Sequence, residues 1–435
     1  MHIYFSGIGG TAIGPLALIA KQAGYQVSGS DARDSQYIEY LRSKGITDIH
    51  IGQTKQQITN AHDKNPIDWF VYSSALKAEA RHPELEFCES HNIRATTRDE
   101  LLNEILSQKK LKLIAIAGTH GKTTTTAMVI WLFKQLGIPV SYSVGAKISF
   151  GDMGSYQPDS QYFVYEADEF DRNFLAFHPF YSLVVGVAYD HHEIFPTEAN
   201  YRQAFADFLA QSQRALLWQE DAVKLGLDEQ AEKYRVESYD NPQIEKLGLG
   251  GLYNRRDAWL ALSAVSQILG PRPDELYDKI NQFPGVSRRF ELIAENLYSD
   301  YAHTPEKIQG VMSVALEQAA KSGQKVVVVY EPLTNRRMHY TRDAHHSVFE
   351  GASAIYWVPS YLAREDPAQK ILNPEELIKS LSPALQSVAR PMELNDELKQ
   401  AIQSHLDTGD LVVALSGGGG SSLDEWLRRQ FSSKA

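Results

Sequence analysis

Gly118-Thr119-His120-Gly121-Lys122-Thr123-Thr124 lies between the apolar run Leu113-Ile114-Ala115-Ile116-Ala117 and a helix-forming segment, Thr125 to Gly137. A short apolar run of that kind reads as a buried parallel strand, so strand, glycine turn and helix commit this stretch to an α/β sheet. Such a turn aims backbone N–H groups at one point, and the helix dipole favours an anion there. Lys122 adds a point charge suited to β- and γ-phosphates, and the Thr123 hydroxyl is the expected Mg²⁺ ligand. Ile116 stands where the general phosphate-loop pattern has its first glycine, so the strand–loop–helix context carries the assignment. ATP is therefore expected on Gly118, Thr119, His120, Gly121, Lys122, Thr123 and Thr124.

The rest of the 435-residue chain extends the α/β pattern into three blocks. The first opens with a strand, His2 to Ser6, a turn and a helix from about Thr11 to Gly24. A second strand, Tyr25 to Ser30, ends on Asp31, and a further apolar run, Trp69 to Tyr72, ends on Ser73-Ser74. Gly7-Ile8-Gly9-Gly10 with Asp31 some twenty residues on is the dinucleotide-binding layout. Gly7, Gly9, Gly10 and Asp31 are thus candidates for a diphosphate site, and Ser73 and Ser74 lie at a strand end where ligands gather. NAD and a nucleotide-sugar diphosphate fit that turn equally.

The lysine-rich segment Ser107 to Lys112 reads as a linker into the second block. Its further strands are expected at Tyr162–Tyr165, Ser182–Ala188 and Ala215–Trp218, with helices over Asp257–Leu269 and Asp274–Gln282. Glu166-Ala167-Asp168-Glu169 ends one of these strands, where nucleotide-bound Mg²⁺ needs a hard oxygen ligand. Glu166 is the first choice, and Asp168 and Glu169 read as capping or surface acids. His191, in Asp190-His191-His192-Glu193, is favoured as a second Mg²⁺ ligand by its neighbours. A third block, after Phe283-Pro284-Gly285, has strands at Lys325–Tyr330, Ala354–Val358 and Asp410–Ser416 and a last helix, Ser422 to Phe431.

A net charge of −11 argues against nucleic acid or an anionic membrane as partner. The single cysteine, Cys88, leaves no internal disulfide and fits a reducing cytoplasm. Met1 to Phe5 runs straight into a glycine turn, so neither a leader nor a membrane span is expected.

Together these motifs resemble the Mur ligases of bacterial cell-wall synthesis. The likeness rests on Gly7 to Gly10, Val27 to Asp31, Ser73 to Ala75, the phosphate loop, Glu166 to Glu169 and Asp190-His191. Arg288-Arg289-Phe290-Glu291 and Asp300-Tyr301-Ala302-His303-Thr304-Pro305 complete it. The resemblance implies a Rossmann-like UDP-sugar domain (1–108), a central P-loop ATPase-like parallel-sheet domain (109–284) and a C-terminal Rossmann-like α/β domain for the amino acid (285–435). It implies ATP with Mg²⁺, and a chain that acts as a monomer or weak homodimer. Catalysis would fall to Lys122, Glu166, His191 and His303. Asn254, Arg289 and Asp300 would help bind ATP, and Arg337 would pair with the amino acid's carboxylate.

The pattern looks most like the alanine-adding branch, which joins UDP-N-acetylmuramate to L-alanine. Departures fall at Gly186, where an asparagine is usual, and at Tyr253 and Asp257, which stand where histidine and asparagine are usual. Glu331-Pro332-Leu333-Thr334-Asn335-Arg336-Arg337 replaces the branch's Gln-Pro-His-Arg, with only Arg337 matching. Glu331-Pro332 and Asp190 to Phe195 lean toward the branch that recycles the murein tripeptide. A nicotinamide-dependent oxidoreductase and a non-catalytic nucleotide-binding regulator are the competing classes, and neither uses the whole set of motifs.

Overall fold

The computed structural model describes residues 1–73, 76, 82–191, 194–228, 230–363 and 365–431. Among these, strands form three sheets of five, seven and six strands, in the α/β architecture expected. The chain packs as two units, Met1–Leu247 with Asp257–Phe283, and Gly248–Arg256 with Pro284–Ala435. The first unit holds the first two sheets.

The first sheet is wholly parallel. It comprises β1 (His2–Ser6), β2 (Gln26–Asp31), β3 (Ile49–Ile51), β4 (Trp69–Tyr72) and β5 (Arg94–Thr97), in the order β3-β2-β1-β4-β5. Every residue of β1 is buried, as a central parallel strand requires. The strand order reverses between β1 and β4, and ligands settle at the carboxyl ends of strands flanking such a switch.

Around the second sheet run β6 (Lys112–Ala117), β7 (Ser141–Ser143), β8 (Gly154–Ser155), β9 (Tyr162–Glu166), β10 (Tyr181–Val184), β11 (Arg214–Trp218) and β12 (Tyr234–Glu237). Their order is β12-β11-β10-β6-β9-β7-β8, with only β7 and β8 antiparallel. One apolar core joins the two sheets, from Ile3 and Phe5 of β1 to Tyr165 of β9 and Phe208. On its rim, Tyr40 donates to Asp152 at 2.5 Å and Lys44 pairs with the same carboxylate at 2.9 Å.

Four expected elements are corrected. The strand over Ser182–Ala188 stops at Val184, because the Thr119 N–H takes the Gly186 carbonyl at 2.8 Å and draws the chain out of the ladder. The helix over Asp274–Gln282 is a 3₁₀ turn, Pro273–Leu276, followed by a helix, Tyr277–Asn281. It breaks where Leu276 turns inward to full burial. The helix expected from Asp257 already begins at Leu252. The linker over Ser107–Lys112 shrinks, since the helix Arg98–Gln108 enters it and β6 starts at Lys112.

The second unit's sheet comprises β13 (Glu291–Ala294), β14 (Leu297–Asp300), β15 (Val326–Glu331), β16 (Ala352–Trp357), β17 (Ala389–Pro391) and β18 (Leu411–Ser416). Its order is β13-β14-β18-β15-β16-β17, antiparallel only between β13 and β14. Val326, Val328 and Tyr330 pack on one face and Val327 and Val329 on the other, so β15 is apolar up to its last residue, Glu331. The helix Pro305–Ser322 behind β14 starts with proline in its first turn and stops at Gly323, whose φ of 69° suits a left-handed cap. Among the described residues no helix is long and apolar enough to cross a membrane.

Glu84, on the helix Pro83–Ser90, is fully buried beside β1, where Ser6 donates to it at 2.6 Å and Tyr4 at 3.1 Å. Burial raises its pKa above the ordinary 4.5, and the hydroxyl hydrogen bonds only offset this in part. The folded chain therefore binds this proton more tightly, and the contribution of Glu84 to stability falls as pH rises above the ordinary value. In urea unfolding from about pH 5 to about pH 8, wild type should lose stability relative to Glu84→Gln. A difference that stays constant with pH would show that Glu84 titrates as an ordinary surface acid.

Candidate active site

β6 lies between β9 and β10, with Ile116 beside Glu166 and Ala117 beside Val184. The phosphate loop therefore leaves the sheet between the acidic run after β9 and the 185–191 segment after β10. Gly118, at φ 141°, leaves no space for a side chain, since a Cβ there would stand 2.7 Å from Val185 Cγ2. Gly121 caps the helix Lys122–Gln135 at φ 74°. The helix thus begins three residues earlier than the expected Thr125, and Lys122, Thr123 and Thr124 form its first turn. Thr119 faces the other way. Its hydroxyl bonds the Ala188 carbonyl and the Tyr201 hydroxyl, each at 2.7 Å.

Lys122 Nζ donates to the Gly118 carbonyl at 2.5 Å and to Glu169 Oε2 at 2.6 Å. Glu169 is 1% exposed, and its other oxygen lies 3.6 Å from His191 Nε2. Burial works against the charge on Glu169, but Lys122 and His191 overcome it and hold its pKa at about 2. Burial likewise disfavours the Lys122 and His191 cations, and the Glu169 carboxylate overrides that and raises both. Glu169, expected to be a capping or surface acid, is thus the buried partner of both basic residues. The left-handed residues Asp171 and Arg172, φ 56° and 57°, re-aim the chain after this run.

Thr123 Oγ1 donates to Glu166 Oε1 at 2.8 Å, and Gly145 N–H donates to Glu166 Oε2 at 2.7 Å. A hydroxyl and a carboxylate side by side at the start of the helix after the glycine loop are hard oxygen donors of the kind Mg²⁺ takes alongside water and nucleotide phosphates. Among the described residues no group of three or more His, Cys, Asp or Glu could hold a metal. Thr123 and Glu166 thus offer two such donors side by side. His191 is directed at Glu169. His120 lies in the loop, half-buried. Asp257, the departure noted above, comes against the loop: a Cβ on Gly121 would stand 2.6 Å from its Oδ1. Burial raises the Asp257 pKa well above the usual carboxylate range.

In the first sheet, the Gly7 and Ile8 N–H groups donate to the Ser30 carbonyl, at 2.8 and 3.0 Å, and Gly10 N–H closes on the Gly7 carbonyl at 3.0 Å. Asp31 is occupied in holding this turn: its Oδ2 accepts from Gly9 N–H at 2.8 Å and its Oδ1 from Arg33 N–H at 3.2 Å. Ser73 follows β4, half-buried at the same edge of the sheet. Ser74 lies outside the described residues.

The second unit gathers its own set. Asp300 accepts from Phe290 N–H at 2.7 Å and Ala302 N–H at 2.8 Å, so both oxygens brace backbone. Burial still raises its pKa against the pull of Arg289. Arg289 lies over the Tyr301 ring, 5.0 Å from its centroid. His303 Nδ1 bonds the Tyr301 carbonyl at 2.7 Å. Arg337, on the helix Asn335–Thr341, takes its N–H to the Thr334 hydroxyl at 3.2 Å. Asn254 Nδ2 donates to the Gly250 carbonyl at 2.8 Å.

Two family models match this chain: "Mur ligase family, catalytic domain" over residues 2–110 and "Mur ligase middle domain" over residues 116–247. The chain belongs to the Mur ligase family. It is 27% identical to the UDP-N-acetylmuramate–L-alanine ligase of Alkaliphilus metalliredigens over 96% of this chain and 95% of that one. It is 28% identical to the enzyme of the same name from Renibacterium salmoninarum, over 96% and 93%. The UDP-N-acetylmuramate-alanine ligase of Thermotoga maritima shares the fold with a TM-score of 0.76 at 23% identity, covering 99% and 98% of the two chains. A murein peptide ligase from Psychrobacter arcticus shares it with a TM-score of 0.63 at 22% identity, over the same shares.

Within this Mur ligase, Glu169 and Tyr201 are the phosphate-loop partners that motif reading did not select. Glu169 was at least visible as part of an acidic run, whereas nothing local marks Tyr201. Glu169→Gln keeps the shape and removes the charge that holds Lys122 and His191. ATP-dependent phosphate release should fall about 10²-fold, on the scale of losing one charge-stabilising group. Activity within a factor of two of wild type, in a variant with an unchanged melting curve, would show that Glu169 is only packing.

Proposed function

We propose that this Mur ligase joins the carboxylate of UDP-N-acetylmuramate to the amino group of L-alanine, with ATP and Mg²⁺, in cytoplasmic peptidoglycan synthesis. The single observation that carries the reading is the Lys122–Glu169–His191 cluster at a phosphate loop whose helix start also presents Thr123 and Glu166. A plain nucleotide switch needs the loop but not this cluster. A nicotinamide oxidoreductase leaves it unexplained. The names of the full-length relatives support the alanine-adding reaction.

Amide formation from a carboxylate needs an activated acyl group. A carboxylate oxygen attacks the γ-phosphorus of ATP, the bond to the β-phosphate oxygen breaks, and ADP leaves with that electron pair. The amine nitrogen then attacks the acyl carbon, the tetrahedral intermediate expels inorganic phosphate, and the nitrogen gives up a proton. Carboxylate, triphosphate and oxyanion are all negative, so electrostatic stabilisation is the leading contribution. Mg²⁺ held by Thr123 and Glu166 would neutralise phosphate charge. Lys122 would turn its ammonium from Gly118 and Glu169 onto the transferring phosphoryl group. Glu169 keeps that ammonium charged and His191 oriented. In the second unit Arg337 would pair with the amino acid's carboxylate. His303, with its Nδ1 proton committed to the Tyr301 carbonyl, would present Nε2 as acceptor for the amine's proton.

The tripeptide-recycling reaction is the second reading, favoured by Glu331-Pro332. Phosphate release with UDP-N-acetylmuramate, ATP and either L-alanine or L-Ala-γ-D-Glu-meso-diaminopimelate separates the two. Release should depend on L-alanine, and dependence on the tripeptide alone would overturn the first reading. Lys122→Ala should abolish release while calorimetry still detects UDP-N-acetylmuramate binding. A fully active Lys122→Ala would refute the assignment of the loop.

A further inference from the structure

Arg289 stands between two strained residues. Arg288 has φ 56° and Phe290 φ 48°, a backbone costly for any residue with a side chain and kept only where the surroundings dictate it. Here they do. Arg288 N–H donates to Glu291 Oε2 at 2.7 Å, Arg289 N–H to the Val286 carbonyl at 3.1 Å and Phe290 N–H to Asp300 Oδ2 at 2.7 Å. Tyr301 N–H closes on the Arg288 carbonyl at 2.9 Å. The two guanidinium groups then part ways. Both lie over the Tyr301 ring, 4.7 and 5.0 Å from its centroid. Arg288 is spent inside the fold: its Nη2 donates to the Ser416 carbonyl at 2.6 Å and its Nε lies 3.5 Å from Asp424. Arg289 Nη1 donates to the Arg288 carbonyl at 3.1 Å, and Asp300, the acid whose pKa it pulls down, keeps both oxygens on backbone N–H groups. The Arg289 charge is thus met by a ring and a carbonyl, with no carboxylate paired to it among the described residues.

The brace for this turn comes from the last helix, Leu423–Phe431. Arg428 grips Glu291 with two guanidinium nitrogens, at 2.5 and 3.3 Å, and its Nε donates to Asp424 at 3.2 Å. Asp424, 5% exposed, also accepts from Ser299 Oγ of β14 at 2.5 Å. Burial works against the Glu291 charge, and Arg428 and the Arg288 N–H overcome it and lower its pKa. Leu423 and Leu427 are both fully buried, so the helix has an apolar anchor besides these charged contacts.

We propose that Glu291, Asp424 and Arg428 are positioning residues that hold the strained turn so that Arg289 meets a phosphate-class anion, which is ATP in the ligase reading above, on which this rests. Arg428 fixes Glu291, Glu291 fixes the Arg288 N–H, and Asp424 holds the Arg288 side chain inward. What remains pointing out of the turn is the one guanidinium that carries no carboxylate of its own.

The test is phosphate release in the full chain, with KM measured separately for ATP, UDP-N-acetylmuramate and the amine. Arg428→Gln should raise the KM for ATP about tenfold, the scale of one charge-assisted hydrogen bond, and leave the other two within a factor of two. Arg428→Lys keeps the charge but loses the two-pronged grip, and should fall between. Arg289→Ala should raise the KM for ATP at least as far. Adding Arg428→Gln to it should raise it no further, because a brace acts only through what it holds. If Arg428→Gln melts early, Glu291→Gln takes its place in the same comparison. An unchanged KM for ATP in the folded brace variants or in Arg289→Ala, or effects that add in the double variant, would overturn the brace while leaving the ligase reading standing. No release from wild type with any amine would instead remove the ligase reading, and the brace with it.

Discussion

The contact between Lys122 and Glu169 fixes the arrangement of the first unit's site. Glu169 is 1% exposed, and a carboxylate so placed stays charged only if cations and donors surround it. Lys122 comes from the turn after β6, Glu169 from the run after β9 and His191 from the segment after β10. Tyr201 adds a hydroxyl from the helix Glu198–Gln211, 3.5 Å from Glu169 Oε1. One buried charge therefore ties together the ends of three neighbouring strands and a helix. Removing one partner would leave an uncompensated charge inside the protein, a loss of about 3–5 kcal/mol.

The fold was legible wherever a burial pattern is complete within one element. β6 is apolar after Lys112 and β15 is apolar up to Glu331, and the glycine turns after β1 and β6 stand where strand meets helix. It was less legible where distant groups decide. β10 ends at Val184 because Thr119, far away in sequence, takes the Gly186 carbonyl. The helix after Pro273 breaks because Leu276 is pulled into the core.

The site divides in the same way. Lys122, Thr123 and Glu166 could be named because loop and strand end fix them by position. Glu169 could not be ranked above Asp168, since both lie in one acidic run and only the approach of Lys122 and His191, from other strand ends, marks Glu169. Asp257 was visible as a departure from the family pattern, but its approach to Gly121 follows from where the helix Leu252–Leu269 packs.

The strands that end on an acid show how a motif residue can be ligand or brace. β2 ends on Asp31, β9 on Glu166, β14 on Asp300 and β15 on Glu331. All four lie at carboxyl edges, and a motif reading assigns Asp31, Glu166 and Asp300 to ligands. Asp31 and Asp300 each place both oxygens on backbone N–H groups of their own turns. Glu331 is filled by Ser416 at 2.5 Å and Leu423 N–H at 3.0 Å, with burial raising its pKa. Glu166, like Glu331, accepts from a hydroxyl, but its donor, Thr123, stands in the first turn of the helix that follows the glycine loop. A hydroxyl can donate to a carboxylate in one state and offer its lone pairs to a cation in another, which a backbone N–H cannot do. Among these acids, a hydroxyl donor that also opens the helix after the glycine loop sets Glu166 apart, and this supports its proposed role toward Mg²⁺.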